Sequence, residues 1–107
     1  MLNNSIQEVI DILNGKQRSY LRGKANDFDP VIHIGKEGIS EQVIDQVKEL
    51  LADHELIKGR VLDNAPLDAG SAARELADET GASVVQVIGN VFVIFLRNKE
   101  EPIYNLP

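Results

Sequence analysis

Gly35, Lys36, Glu37 and Gly38 set two glycines around a lysine, between a β-branched run at residues 31–34 and a helix-capping serine, Ser40. Glycines let a backbone approach a ligand closely and tolerate positive φ. The free N–H groups of a helix start, with the helix dipole, favour an anion. Lys36 adds a mobile positive charge. The combination suits a phosphate of a nucleic acid backbone, although two glycines also suit a plain strand-to-helix turn. It is not a nucleotide-binding P-loop, because the four-residue gap and the Gly-Lys-Ser/Thr ending are missing.

Further cations stand at regular spacing. At about 100° per residue, Lys16, Tyr20 and Lys24 share one helical row, and Arg18 and Arg22 form another. The two rows flank an apolar stripe of Leu21, Ala25 and Phe28. Cationic edges with one aromatic among them fit a surface that tracks a polyanion backbone; a solvated helix face explains the same pattern. Lys58 and Arg60 alternate with Ile57 and Val61, so they share one face of a strand. If the sheet is covered on one side only, that face is open. Gly59 between them signals a bulge or a close contact. His33 and His54 are the only histidines, far apart and without metal-ligand spacing, so a structural or hydrogen-bonding role is expected of them. No nucleophile elbow, zinc-protease motif or dinucleotide fingerprint occurs, and nothing assembles a nucleophile, base and oxyanion site. The chain therefore reads as a non-enzyme without cofactor or metal.

The elements that must position these residues follow from caps and periodicity. Ser5 to Glu8 form a possible capping box, and Ile6, Val9, Ile10 and Leu13 keep helical spacing, which predicts a short first helix ending at Gly15. Asn14, with Gln17 three residues on, caps a second helix over 16–26. Asp29-Pro30 ends it, since the residue before proline avoids the helical region. A short strand is expected at 31–34. Ser40 caps a helix over 41–53 whose Val43, Val47, Leu50 and Leu51 line one face. A strand over 56–63, a turn at Asn64-Ala65-Pro66, a helix capped by Asp68 and stopped at Gly81, and strands over 83–88 and 91–97 complete the order. Gly89-Asn90 fits a tight hairpin turn between the last two. Alternating strands and helices favour crossovers, and the final pair favours an antiparallel hairpin. The fold class is α/β (α+β): a four-stranded mixed sheet with helices, in the order α-β-α-β-α-β-β, after an N-terminal helical extension.

A chain of 107 residues fits one domain with a real core. It has no cysteine, which excludes disulfides, thiol catalysis and cysteine-ligated zinc. The longest purely apolar run, residues 91–96, is far short of a membrane span. The first fifteen residues carry Glu8 and Asp11 and no Lys or Arg, unlike a signal peptide, so a cytoplasmic location is expected. The formal charge of −6 at first argues against nucleic acid. Its distribution does not: residues 1–15 carry −2, residues 16–36 carry +3 and residues 37–107 carry −7. With screening over roughly 8 Å at physiological salt, a local basic patch acts largely apart from remote acids.

Read in order, Leu13-Asn14-Gly15-Lys16-Gln17-Arg18-Ser19-Tyr20-Leu21-Arg22, Asp29-Pro30-Val31-Ile32-His33-Ile34-Gly35-Lys36-Glu37-Gly38-Ile39, Glu55-Leu56-Ile57-Lys58, Val85-Gln86-Val87-Ile88-Gly89 and the tail Ile103-Tyr104-Asn105-Leu106-Pro107 closely resemble the YhbY family, the bacterial stand-alone form of the chloroplast RNA splicing and ribosome maturation (CRM) domain. The likeness covers residues 13–107 and leaves 1–12 as an extension. It implies a two-layer sandwich similar to the C-terminal domain of translation initiation factor three. It also implies RNA binding and association with ribosomal RNA or large-subunit precursors in ribosome assembly, with ribosomal proteins as possible neighbours and no DNA expected. The family's GxxG loop maps onto Gly35, Lys36, Glu37 and Gly38, and its basic first helix onto Lys16, Arg18 and Arg22; Lys58 and Arg60 widen the expected contact. Glu37 stands where the family often has glycine, Gly59 where it has a β-branched residue, Asn90 where it has arginine and Asn26 where it has histidine. Two other readings compete: an acidic interaction module docking on a basic partner such as a ribosomal protein, and an enzyme holding a phosphorylated small molecule at the glycine loop.

Overall fold

The structure, a computed structural model, describes residues 13–107; the helix expected before Leu13 lies outside them. The elements are α1 (Gly15–Ala25), β1 (Ile32–Ile34), α2 (Glu41–His54), β2 (Leu56–Val61), α3 (Ala69–Thr80), β3 (Ser83–Ile88) and β4 (Val91–Phe95). Each helix starts where its cap predicts. Asn14 Oδ1 accepts from the Gln17 N–H at 2.8 Å and the Asn14 N–H donates to Gln17 Oε1 at 3.1 Å, a complete capping box. Gly15 thus opens α1 rather than closing an earlier helix. Ser40 Oγ accepts from Val43 N–H, and Asp68 Oδ1 from Ser71 N–H at 2.7 Å. These side chains satisfy donors that the helix itself leaves unpaired.

The strands form one sheet in the order β1-β2-β4-β3. β1 runs parallel to β2 through the α2 crossover, while β2–β4 and β4–β3 are antiparallel. α2 and α3 cover one face. Val47 and Leu51 of α2 and Ala69, Ala72, Ala73 and Leu76 of α3 pack there on Ile32, Ile34, Ile57, Val61, Phe92 and Ile94. The small residues of α3 let it lie close to the strands. This is the expected two-layer arrangement, with α1 laid over part of the second face. There Leu13, Leu21 and Ala25 bury against Leu56, Val85, Val93 and Phe95, and Phe28, Tyr104 and Leu106 close the edge. Central β4 is thus apolar at consecutive positions because both its faces are covered.

Glu55 sits between α2 and β2 at φ +63, a backbone conformation rare for an L side chain, and it is 0 % exposed. Its carboxylate accepts from the N–H of Asn98 at 2.6 Å, Ile103 at 2.6 Å and Tyr104 at 3.0 Å. Its carbonyl accepts from Leu96 N–H at 2.8 Å. One buried side chain therefore holds the C-terminal tail on the body.

Asp68 yields an acid-side prediction. The backbone N–H of Ser71, then its hydroxyl, hold the Asp68 carboxyl below its ordinary value of 3.8. Its folded pKa is depressed, so the stability it contributes is present above 3.8 and is lost as pH falls through the folded value. Asp68→Asn, which keeps a capping oxygen, is expected to flatten the acid limb of a thermal-melting pH profile; an unchanged limb would refute this.

Candidate nucleic-acid interface

The chain runs Gly35 to Gly38 directly off the end of β1. The Gly38 N–H donates to the Gly35 carbonyl at 3.0 Å, closing a turn with Lys36 and Glu37 at its exposed corners. Corner N–H groups take no part in such a closing bond. The Lys36 and Glu37 amides are therefore left out of the turn's own bond, whereas the Gly38 amide is already occupied. Gly38 is buried at φ +66, and an added Cβ would meet Pro66 Cγ at 3.1 Å. Its glycine thus has a structural reason, a positive φ and a tight approach to Pro66, whatever the loop binds. At Gly35 a Cβ would make only ordinary contacts, 3.8 Å from Asn64 Oδ1.

Register places the other cations. His33 pairs with Arg60, Arg60 with Val91, and Val91 with Ile88, one row across all four strands. Ile32 and Ile34 point into the helix-covered core, so His33, between them, points to the other face. Arg60 and His33 are exposed, and Ile88 is 63 % exposed. One row below, half-buried Lys58 pairs with Val93. Beyond it, α1 covers the sheet. The upper half of this face is therefore open and carries the cations Arg60 and Lys58 beside His33 and the apolar Ile88. The loop joins it at the β1 end, since Ile34 is in register with Val61.

The helix cations are placed differently. Lys16, Arg22 and Lys24 are exposed, and Lys24 Nζ lies 5.4 Å from the Tyr20 ring centroid, a cation–π distance. Arg18 is half-buried, its Nε 3.5 Å from the Val84 carbonyl at the bulge of edge strand β3. Arg18 is therefore diagonally across the sheet from the glycine loop: three strands over and four residues along, roughly 20 Å by strand and residue spacing. The structure does not bring the loop and Arg18 together; it puts Arg60 and Lys58 on the line between them. Sequence patterning alone does not single out His33 as a contact residue, although the Ile-His-Ile alternation turns it away from the core.

Two exposed acids stand on this side, Glu37 at the loop corner and Asp29 ahead of β1; most of the others lie elsewhere. Glu41, Asp45, Glu49 and Asp53 of α2 and Glu75, Asp78 and Glu79 of α3 are exposed, on helices that cover the opposite face. Among the described residues no cluster of three or more potential metal ligands occurs, and no helix is long and apolar enough to cross a membrane.

Residues 13–95 match the CRS1 / YhbY (CRM) domain. The chain is 38% identical over 96 residues to the Probable RNA-binding protein YqeI of Bacillus subtilis, spanning 90% of this chain and 100% of that one. It is 34% identical over 95 residues to an RNA-binding protein of Haemophilus influenzae, spanning 89% and 95%. Among solved structures, that of the hypothetical protein SAV1595 of Staphylococcus aureus superposes with a TM-score of 0.76 at 43% identity, over 90% of this chain and 100% of that one.

Proposed function

Since the chain belongs to the CRS1 / YhbY (CRM) domain family, we propose that it is a non-catalytic RNA-binding protein that reads RNA chiefly through its phosphates. Its targets are ribosomal RNA or large-subunit precursors in the cytoplasm, during ribosome assembly. The relatives named for RNA binding support the class of ligand. The observation that carries the mechanism is the cationic diagonal: Lys36 at the loop, then Arg60 with His33, then Lys58, then Arg18 and Arg22 of α1. A path of roughly 20 Å accommodates several phosphates of one strand. Charge segregation supports the same face, because the acidic outer surfaces of α2 and α3 repel a polyanion from the other side.

Binding by this route releases counterions, so affinity falls as salt rises, with a slope set by the phosphates neutralised. Lys36→Ala is expected to weaken binding and shallow the log–log salt slope by roughly 0.7 to 0.9, with the melting temperature unchanged, because Lys36 is an exposed turn corner. Titrations at several salt concentrations measure both quantities. Unchanged affinity and slope would remove the loop from the interface.

The exposed acids of α2 and α3 motivate a second reading, in which that surface docks on a basic ribosomal protein. Both faces can be used at once. Association with such a partner that survives nuclease treatment would favour it.

A further inference from the structure

Beside Lys58, at the margin of the α1 cover, the surface deepens. A cavity of about 310 Å³ lies between the chain leaving α1, the starts of β1 and β2, the end of α2 and the C-terminal tail. That is the lower end of the size range of small-molecule sites. Leu56 forms part of its wall, Phe28 and Tyr104 supply aromatic rings, and Asp29, His54 and Lys58 supply polar groups. Aromatic rings with acceptors and donors at hand suit a flat heteroaromatic ring better than an aliphatic chain.

We propose that this pocket receives one unstacked guanine base of a single-stranded RNA segment, whose neighbouring phosphates continue over Lys58, Arg60 and His33. The inference rests on the RNA-binding reading and deepens it from backbone contact to base recognition.

Continuity carries the first part. Lys58 belongs both to the pocket and to the cationic face. Val31, which also lines the pocket, precedes His33 by two residues on the same side of the sheet. The pocket is therefore roughly 7 Å from the His33–Arg60 row, about one step of an extended strand. The tail that carries Tyr104 is held in place, its N–H bonded to the buried Glu55 carboxylate. Burial, then the charge of Glu55, then Tyr20 push the Tyr104 phenol above its ordinary value of 10.0. The ring is thus neutral at working pH and brings no negative charge against a base.

Complementarity carries the second part. A carboxylate offers two acceptor oxygens and no donor. Guanine alone among the four bases sets two donor groups side by side on its pairing edge, N1–H and N2–H₂, with the O6 acceptor next to them for Lys58 or His54. Asp29 is exposed, and Pro30 restricts its backbone to extended conformations. It is therefore available and conformationally limited.

The test uses the full chain and four short RNAs: oligouridine with uridine, guanosine, adenosine or inosine at its centre. Guanosine is expected to bind roughly tenfold more tightly than uridine. Inosine, which lacks the N2 amino group, should fall between them. Asp29→Asn is expected to abolish the guanosine preference. It should leave plain oligouridine bound as tightly or more tightly, because a negative charge is removed; simple electrostatics cannot produce that divergence. Equal affinity for all four RNAs, or a guanosine preference that survives Asp29→Asn, would overturn the pocket alone. Guanosine monophosphate binding as tightly as the guanosine oligonucleotide would overturn RNA as its source. Failure of every RNA to bind would overturn the RNA-binding reading itself, and this inference with it.

Discussion

Glu55→Ala is expected to lower the stability of the protein by about 3 kcal/mol and to release the C-terminal tail. The carboxylate accepts three backbone N–H groups, from Asn98, Ile103 and Tyr104, at a side chain with no exposed surface. A buried donor left without a partner costs about 1–3 kcal/mol, so leaving all three unpaired in place would cost at least about 3 kcal/mol. The tail should therefore swing out, letting its amides reach water, and the loss stops near the value of its docking. Glu55→Gln keeps the shape and one acceptor oxygen but turns an amide NH₂ toward a donor, so it should lose about half as much. Urea denaturation gives the stability change. Hydrogen exchange gives its location: the amides of Asn98, Ile103 and Tyr104 should lose protection in Glu55→Ala while those of β4 keep it. Protection retained at all three would show that something other than Glu55 holds the tail.

Gly59→Val is expected to cost about 3 kcal/mol, although valine favours strands and glycine does not. Gly59 pairs directly with Phe92 of β4, and the Phe92 ring lies flat across it. A Cβ on Gly59 would sit 2.7 Å from both Phe92 Cε1 and Cε2, and nearer still to Cζ. The ring is 1 % exposed within the core under α2 and α3, so it has no room to withdraw. Valine's gain in strand propensity, at most about 1 kcal/mol, does not offset that overlap. The same geometry predicts coupling. Phe92→Leu alone should destabilise by leaving a cavity, but Gly59→Val combined with Phe92→Leu should cost at least about 1 kcal/mol less than the two single losses together. Additive losses would mean that the ring and the glycine do not share the space. The resemblance put a β-branched residue at this position; here the Phe92 ring fills the space that such a side chain would need.

Much of this architecture is legible in the chain itself. Asn14, Ser40 and Asp68 start helices at the residues where capping places them, because a cap is a local contact between a side chain and an amide two or three residues on. The β4 run at residues 91–95 is apolar at every position, which already marks a strand covered on both faces. The Lys58–Arg60 alternation sets those cations on one face, since the strand period is two. The same period is visible in Ile32-His33-Ile34, although His33 joins the cationic row only once register is known.

What local rules cannot supply is which distant residues meet. The Glu55 segment and the Ile103–Pro107 tail were two separate likenesses in sequence; the fold joins them at one carboxylate 48 residues from Ile103. The sequence placed Gly59 in a strand and flagged a close contact, but not with Phe92, because that partner depends on the β2–β4 register. Gly38 reads as a binding glycine in isolation, and the structure adds a packing reason in Pro66. The cations of α1 and the glycine loop read as neighbours in charge, yet they end up at opposite corners of the sheet. The sequence by itself determined the elements, their faces and the presence of a basic segment, since these depend on caps and period over a few residues. Only the tertiary structure decided the layout of the cations, the anchoring of the tail and the pocket beside Lys58, because each depends on strand order and register between segments far apart in the chain.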